Sequence, residues 1–207
     1  MRRSRHFVIG AAFLVAAMAI APGAAASAVV GDERSPGWRQ LPVSVANPDV
    51  PRAVIEQLPE AVQQSHVVID DGFVPGSPIV YPDGTPVEGQ GPDVVARIAE
   101  ARANCGGRAT GSGLGSWGAE STCGVAVFGS PGYVRVYSWW VPMTVSAKAC
   151  AQGRGFNSQG VRTWYGLGVC GSSHYNFGVP WGNILSNPSV RVKSMSPPSG
   201  VTVDWSS

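Results

Sequence analysis

The residues of this chain that could do chemistry are a few histidines, one late aspartate and a set of aromatic rings. Outside the first 28 residues the histidines are His66 and His174. A Ser-His-Asp hydrolase needs an imidazole base held by a carboxylate. From Ser121 to the end the single acid is Asp204. The pairing that composition permits is therefore His174 with Asp204 and a serine from elsewhere. No Gly-x-Ser-x-Gly elbow supports it, because Gly111-Ser-Gly-Leu-Gly115 has its serine out of place. Glycoside hydrolysis calls for two carboxyl groups across the bond, and the second would have to come from the acidic half, such as Glu100 or Glu120. We predict no catalytic set.

Metal chemistry is also thinly provided. The four cysteines, Cys105, Cys123, Cys150 and Cys170, form no CxxC pair and have no histidine at ligand spacing. Asp70-Asp71 and Asp83 lie in ordinary turn sequences without a calcium-loop pattern. Gly111 to Gly115 superficially suggests a nucleotide loop, yet lacks the strand before and the helix after that the fingerprint requires. No metal and no cofactor is expected. Binding is the chemistry that the aromatic residues suit. Trp139, Trp140, Trp164 and Tyr165 are the candidate ligand-binding residues, since an indole on a sheet face can stack on a sugar or anchor a protein. Trp181 and Trp205 belong to the same region, and most of these rings should fill a core.

The element that positions these rings is a hairpin, Cys150 to Cys170. Asn157-Ser-Gln-Gly160 is its turn. Cys150, Gln152, Arg154 and Phe156 share one face before it. Afterwards Trp164 and Gly166 share a face, and Tyr165 and Leu167 take the other. Cys150 lies seven residues before Asn157 and Cys170 ten after Gly160, so a cross-strand disulfide needs a bulge. We expect the local pairs Cys105–Cys123 and Cys150–Cys170.

Further strands are expected at Gly124–Phe128, Tyr133–Val141, Tyr175–Val179, Ser189–Ser196 and Val201–Trp205. In the second, Val134, Val136 and Trp140 oppose Arg135, Tyr137 and Trp139. The expected fold is mainly β: an antiparallel β-sandwich or small barrel of about seven short strands, preceded by a short helical and irregular N-terminal region. Helices are expected over Pro51–Gln64, interrupted by Pro59, and over Pro92–Asn104, which Gly106-Gly107 stops. Val67–Ile69 is a short strand, and Arg108–Gly118 reads as a flexible loop inside the first disulfide.

Arg2, Arg3 and Arg5, the apolar run Phe7–Ile20 and the Ala-rich sites near Ser27 read as a secretory signal peptide, giving a secreted, extracellular product with no membrane span. The expected division is 1–28 signal peptide, 29–104 acidic Pro-rich lead-in, and 105–207 disulfide-stapled β-domain. Even cysteines fit an oxidising compartment. The signal segment, the Ala/Gly/Val-rich usage and the stretch Val179-Pro-Trp-Gly-Asn-Ile-Leu185 resemble exported bacterial proteins of high-GC Gram-positive type, a likeness of composition and not of a family.

Charge is divided along the chain. Val29 to Glu120 carries twelve acids and six arginines, net −6, whereas Ser121 to Ser207 carries six bases and one acid, net +5. Either the acidic half docks on the basic half, or the basic half meets an anionic partner. The basic residues are too sparse for dedicated nucleic-acid binding. The function expected is that of an exported, non-enzymatic β-module binding an extracellular glycan of the cell wall or a protein. A hydrolase built on His174 and Asp204, and a precursor with a removable acidic pro-segment, are the alternatives.

Overall fold

A computed structural model describes residues 42–102, 105–143 and 146–207. The expected signal peptide, and the expected helix end at Asn104, lie outside the described residues. Three short helices come first: α1 (Val43–Ala46), α2 (Arg52–Glu56) and α3 (Glu60–Gln63). Each begins immediately after a proline, Pro42, Pro51 and Pro59, whose ring cannot donate a backbone hydrogen bond. Pro59 thus divides the expected helix in two. Strands β1 (Val68–Ile69) and β2 (Ile79–Val80) follow, then α4 (Pro92–Arg102).

The rest is β-structure. The strands are β3 (Gly106–Gly111), β4 (Ser121–Thr122), β5 (Ala126–Phe128), β6 (Val134–Trp140), β7 (Ala149–Phe156) and β8 (Arg162–Gly166). After them come β9 (Ser173–Pro180), β10 (Ile184–Ser186), β11 (Ser189–Ser194) and β12 (Val201–Ser206). They form three open sheets: a front sheet in the order β3-β12-β6-β9, a back sheet β4-β11-β7-β8, and a middle sheet β1-β10-β5-β2. The fold is mainly β and sandwich-like, and none of the sheets closes into a barrel.

The front and back sheets pack face to face through the alternation expected from sequence. Tyr137 and Trp139 point inward with Val201, Val203 and Trp205, against Val190, Val192 and Ala151. Gly153 makes the close approach possible, because a Cβ there would stand 3.1 Å from the Tyr137 ring. The buried polar tips find carbonyls: Tyr137 Oη donates to Arg154 O at 2.9 Å, and Trp139 Nε1 to Leu167 O at 2.9 Å.

The middle sheet is mixed. β10 pairs antiparallel with β5, while β1 and β2 lie parallel to β10 and β5. Its two faces serve two cores. Val80, Val127 and Ile184 join the sandwich core, and Ile69, Ile79, Ala126 and Leu185 pack with Ile55, Val62 and Phe73 beneath the helices. Short strands buried on both faces carry this pattern with a near-continuous run of hydrophobic residues, Ser186 of β10 being the exception. Asn47 stitches α1 to β1, accepting from Ile69 N at 2.5 Å and donating to Val67 O at 3.2 Å.

Several expectations need correction. Among the described residues the strands number twelve, the additional ones being mostly short, within the mainly β, sandwich-like fold that was expected. The expected glycine-rich loop begins as strand β3, paired with β12 along all six residues. Gly111 fits because it presses on the back sheet, where a Cβ would come within 2.8 Å of Lys193 Cα. The division at residue 104 does not separate two structural units, since β1 and β2 on one side of it complete a sheet with β5 and β10 on the other.

The hairpin forms as expected. Gly160 takes φ +77°, and Asn157 Oδ1 accepts from Gln159 N and Val161 N at 2.9 and 3.0 Å. The far strand ends earlier, at Gly166. Leu167 N still reaches Ala151 O, but Ala149 next bridges Gly171, so the bulge sits between those points, with Gly168 at φ +80°. It brings Cys170 to Cys150. The disulfides are Cys105–Cys123 and Cys150–Cys170.

Candidate binding face

The outward face of the back sheet collects most of the basic residues of the C-terminal half. Strand alternation puts Gln152, Arg154 and Phe156 of β7 there, with Arg191 and Lys193 of β11 and Arg162 and Trp164 of β8. The two ends of this face are built differently.

At the closed end the acidic half docks on the basic half. Arg154 is 3% exposed. It pairs with Glu120 and with Asp70 at 3.8 Å, and Nη1 also donates to Gly72 O and Asn187 O at 3.2 and 3.0 Å. Arg162 pairs with Asp71 at 2.6 Å and Asp70 at 4.0 Å. Asp70 Oδ2 accepts from Gly72 N and Ser186 Oγ at 2.9 and 2.8 Å. Burial holds the Asp70 carboxyl above its ordinary value, reinforced by Asp71 and opposed by Ser186 and the two arginines. Arg154 and Asp70 are buried at this end, while Arg162 and Glu120 are partly exposed and Asp71 is exposed.

At the open end the same face carries cations without such a lid of carboxylates. The Arg191 guanidinium lies 4.5 Å from the centre of the Trp164 ring and 5.2 Å from that of Trp117. Lys193 Nζ lies 5.2 Å from the Trp117 ring. These are cation–π distances. Arg191 Nε donates to Gln152 Oε1 at 2.9 Å, which fixes the plane of the fork. The strand supplies the order, since Arg191 and Lys193 are two apart and share a face. Trp117 arrives on the return segment, anchored where Gly118 N donates to Val192 O at 2.8 Å. Partial desolvation lowers the Arg191 pKa from its ordinary value, opposed by Glu120, and a guanidinium so placed remains charged. The arrangement can offer terminal N–H donors and ring edges to an anion.

The other expected site residues are dispersed. Trp139 is 0% exposed and belongs to the core, so it cannot stack on a ligand; its place among the binding candidates is withdrawn. Trp140 stands on the outer face of the front sheet, stacked with Tyr175 at 6.4 Å and far in chain terms from Trp164. Tyr165 is opposite Gly153 on the inner face and packs against the sandwich core, so it does not share a surface with Trp164. Of the expected binding residues, Trp164 alone joins the basic face.

His174 and Asp204 do not meet as a catalytic pair. His174 registers with Trp139, whose register with Trp205 places all three on the inner face. Asp204 registers with Trp140 on the outer face and pairs with Arg108 at 3.2 Å. One residue of register separates the faces. The His174 ring instead lies by Phe177, 5.5 Å between centroids. Among the described residues no group of three or more histidine, cysteine or acidic side chains is placed to hold a metal ion. No helix of the described residues is long and apolar enough to cross a membrane.

Sequence reasoning missed Trp117, which was assigned to a flexible loop, and did not single out Arg191 and Lys193. The i, i+2 spacing of the two cations was the available signal. Their meeting with Trp117 depends on the return of a distant segment. No protein-family model, no curated protein and no solved structure matches the chain.

Proposed function

We propose that this chain is an exported β-module that acts by binding, and that its ligand is an anionic extracellular glycan held at the open end of the back sheet. The observation that carries this reading is Arg191 seated between Trp117 and Trp164, with Lys193 beside it. Carboxylate or phosphate groups of the polymer would take the N–H edge of Arg191 and the Lys193 ammonium, and sugar rings would rest against the indole edges. The oxidised cysteine pairs and the basic leader support export.

Co-sedimentation of the protein with bacterial wall bearing its anionic polymer, and with the same wall after acid removal of that polymer, tests the reading. Retention on the first, weakened by salt and by Arg191→Gln or Trp164→Ala with folding intact, is the expected result. Equal retention on both wall preparations would refute it.

A further inference from the structure

A second pair of rings stands on the outer face of the front sheet, across the sandwich from the basic face. Tyr175 of β9 is 59% exposed. It lies beside the partly exposed Trp140 of β6, with 6.4 Å between ring centres and the planes 16° apart. Rings in contact have planes about 3.5–4 Å apart. Two near-parallel rings at the larger separation are therefore displaced sideways and do not eclipse each other, so ring surface stays open to solvent.

A strained bulge holds Tyr175 there. Between Tyr137 and Trp139 the pairing advances two residues on β6 but three on β9. Tyr175 and Asn176 thus stand against Ser138 alone. Asn176 takes φ +56°, and its N–H donates to Ser138 Oγ at 3.1 Å. Phe177 faces inward beside Tyr137, so strict alternation would turn Tyr175 inside with Trp139. The extra residue turns it outward, beside Trp140. A non-glycine residue in the left-handed region is costly, and such residues cluster at functional sites.

The charged residues that the four strands place on this face are Arg108 and Asp204. Asp204 is the cross-strand neighbour of both Trp140 and Arg108. The two pair at 3.2 Å, with the Arg108 side chain 70% exposed and that of Asp204 29% exposed. The face therefore carries no net charge, yet offers N–H donors and a carboxylate beside the rings. We propose that it binds an uncharged β-linked glycan of equatorial hexopyranoses. The C–H faces of the sugars rest on Tyr175 and Trp140, and their hydroxyls exchange charge-assisted hydrogen bonds with Asp204 and Arg108. The strip from β3 to β9 crosses three strand spacings, about 14 Å, which suits a short oligosaccharide. The site is independent of the anionic-polymer site on the back sheet.

The test titrates cellopentaose, chitopentaose and a cellouronate of the same length into the full chain, following the Trp140 indole and Asn176 amide resonances. The expected result is movement of both by an uncharged pentaose, with the cellouronate binding more weakly because Asp204 repels its carboxylates. Tyr175→Ala should weaken the pentaose by about tenfold, the effect of truncating a central aromatic anchor. Tyr175→Phe should retain most of the affinity, and Asp204→Ala should lose part of it. An unchanged amide spectrum away from β9 and β12 verifies folding. Arg191→Gln should bind the pentaose normally, which keeps this site separable from the wall-polymer reading. No movement with either pentaose at millimolar concentration, equal binding by Tyr175→Ala, or cellouronate binding as tightly as cellopentaose would overturn the proposal. Resonances that move with protein concentration and not with sugar would also overturn it, and would give the face to a second copy of the chain.

Discussion

Arg154 and Arg191 stand on the same face of the same sheet, yet one is sealed and the other is open. Arg154 is enclosed by Asp70, Glu120 and the carbonyls of Gly72 and Asn187. Arg191 is flanked by Trp117 and Trp164 and by one amide, Gln152. Desolvating a guanidinium requires compensation, and carboxylates supply it at the closed end at the cost of having no valence left for a ligand. Aromatic faces compensate more weakly and leave the N–H edge free. The difference separates a cation that holds the molecule together from one suited to a partner.

Substituting the two arginines should break the symmetry of that comparison most visibly. Arg154→Ala leaves Asp70 with Arg162 as its one arginine partner and removes the buried link between the acidic and basic halves. Urea denaturation should show a loss of about 3–5 kcal/mol, the range for breaking a buried pair. A loss below 1 kcal/mol would mean the closed end does not seal the fold.

The alkaline limb of stability sharpens the same contrast, because Tyr137 donates to the Arg154 carbonyl. Complete burial pushes its phenol well above the ordinary value of 10.0. A raised folded value means the protonated form favours the fold, so its contribution is fully present below pH 10 and is lost as pH rises beyond it. The slope should be about 1.4 kcal/mol per pH unit for one proton. Denaturation midpoints measured from pH 9 upward should show it, and Tyr137→Phe should flatten it.

Smaller effects are expected at the open end. Trp164→Ala removes one cation–π contact and should cost about 0.5–1 kcal/mol by urea denaturation, while retention on anionic wall falls severalfold. A stability loss comparable with that of Arg154→Ala would make the Trp117–Arg191–Trp164 stack a structural element instead of a binding face. The smallest effect concerns acid. Asp70 is raised above 3.8 by burial, so between that value and its folded one its share of stability declines as pH rises. Asp70→Asn should remove that decline from the acid limb.

Much of this was legible beforehand because it depends on local chemistry. Period-two alternation placed Tyr137 and Trp139 opposite Val136 and Trp140, and turn residues located the hairpin at Asn157–Gly160. The excess of residues after that turn implied the bulge that brings Cys170 to Cys150. β3 was missed because its glycines read as loop, although they are what allows Gly111 to press on Lys193. β2 and β10 were missed because strands of two and three residues are too short to show a period. The candidate face was half legible. Trp164 was named, but Trp117 lies 47 positions earlier and reaches it only through the packing of its segment on β11.

The sequence by itself determined the strand faces around the hairpin, the proline-started helices and the division of charge, since each follows from neighbours within a few residues or from composition; which cysteines pair was an expectation that the structure decided. Only the tertiary structure decided which tryptophan was core, that His174 and Asp204 point apart, that Asp70 and Glu120 neutralise Arg154, and that Arg191 lies by Trp117 and Trp164. Those outcomes depend on which distant segments close over a given face, and burial and charge pairing are set by that closure and not by the residue's neighbours in the chain.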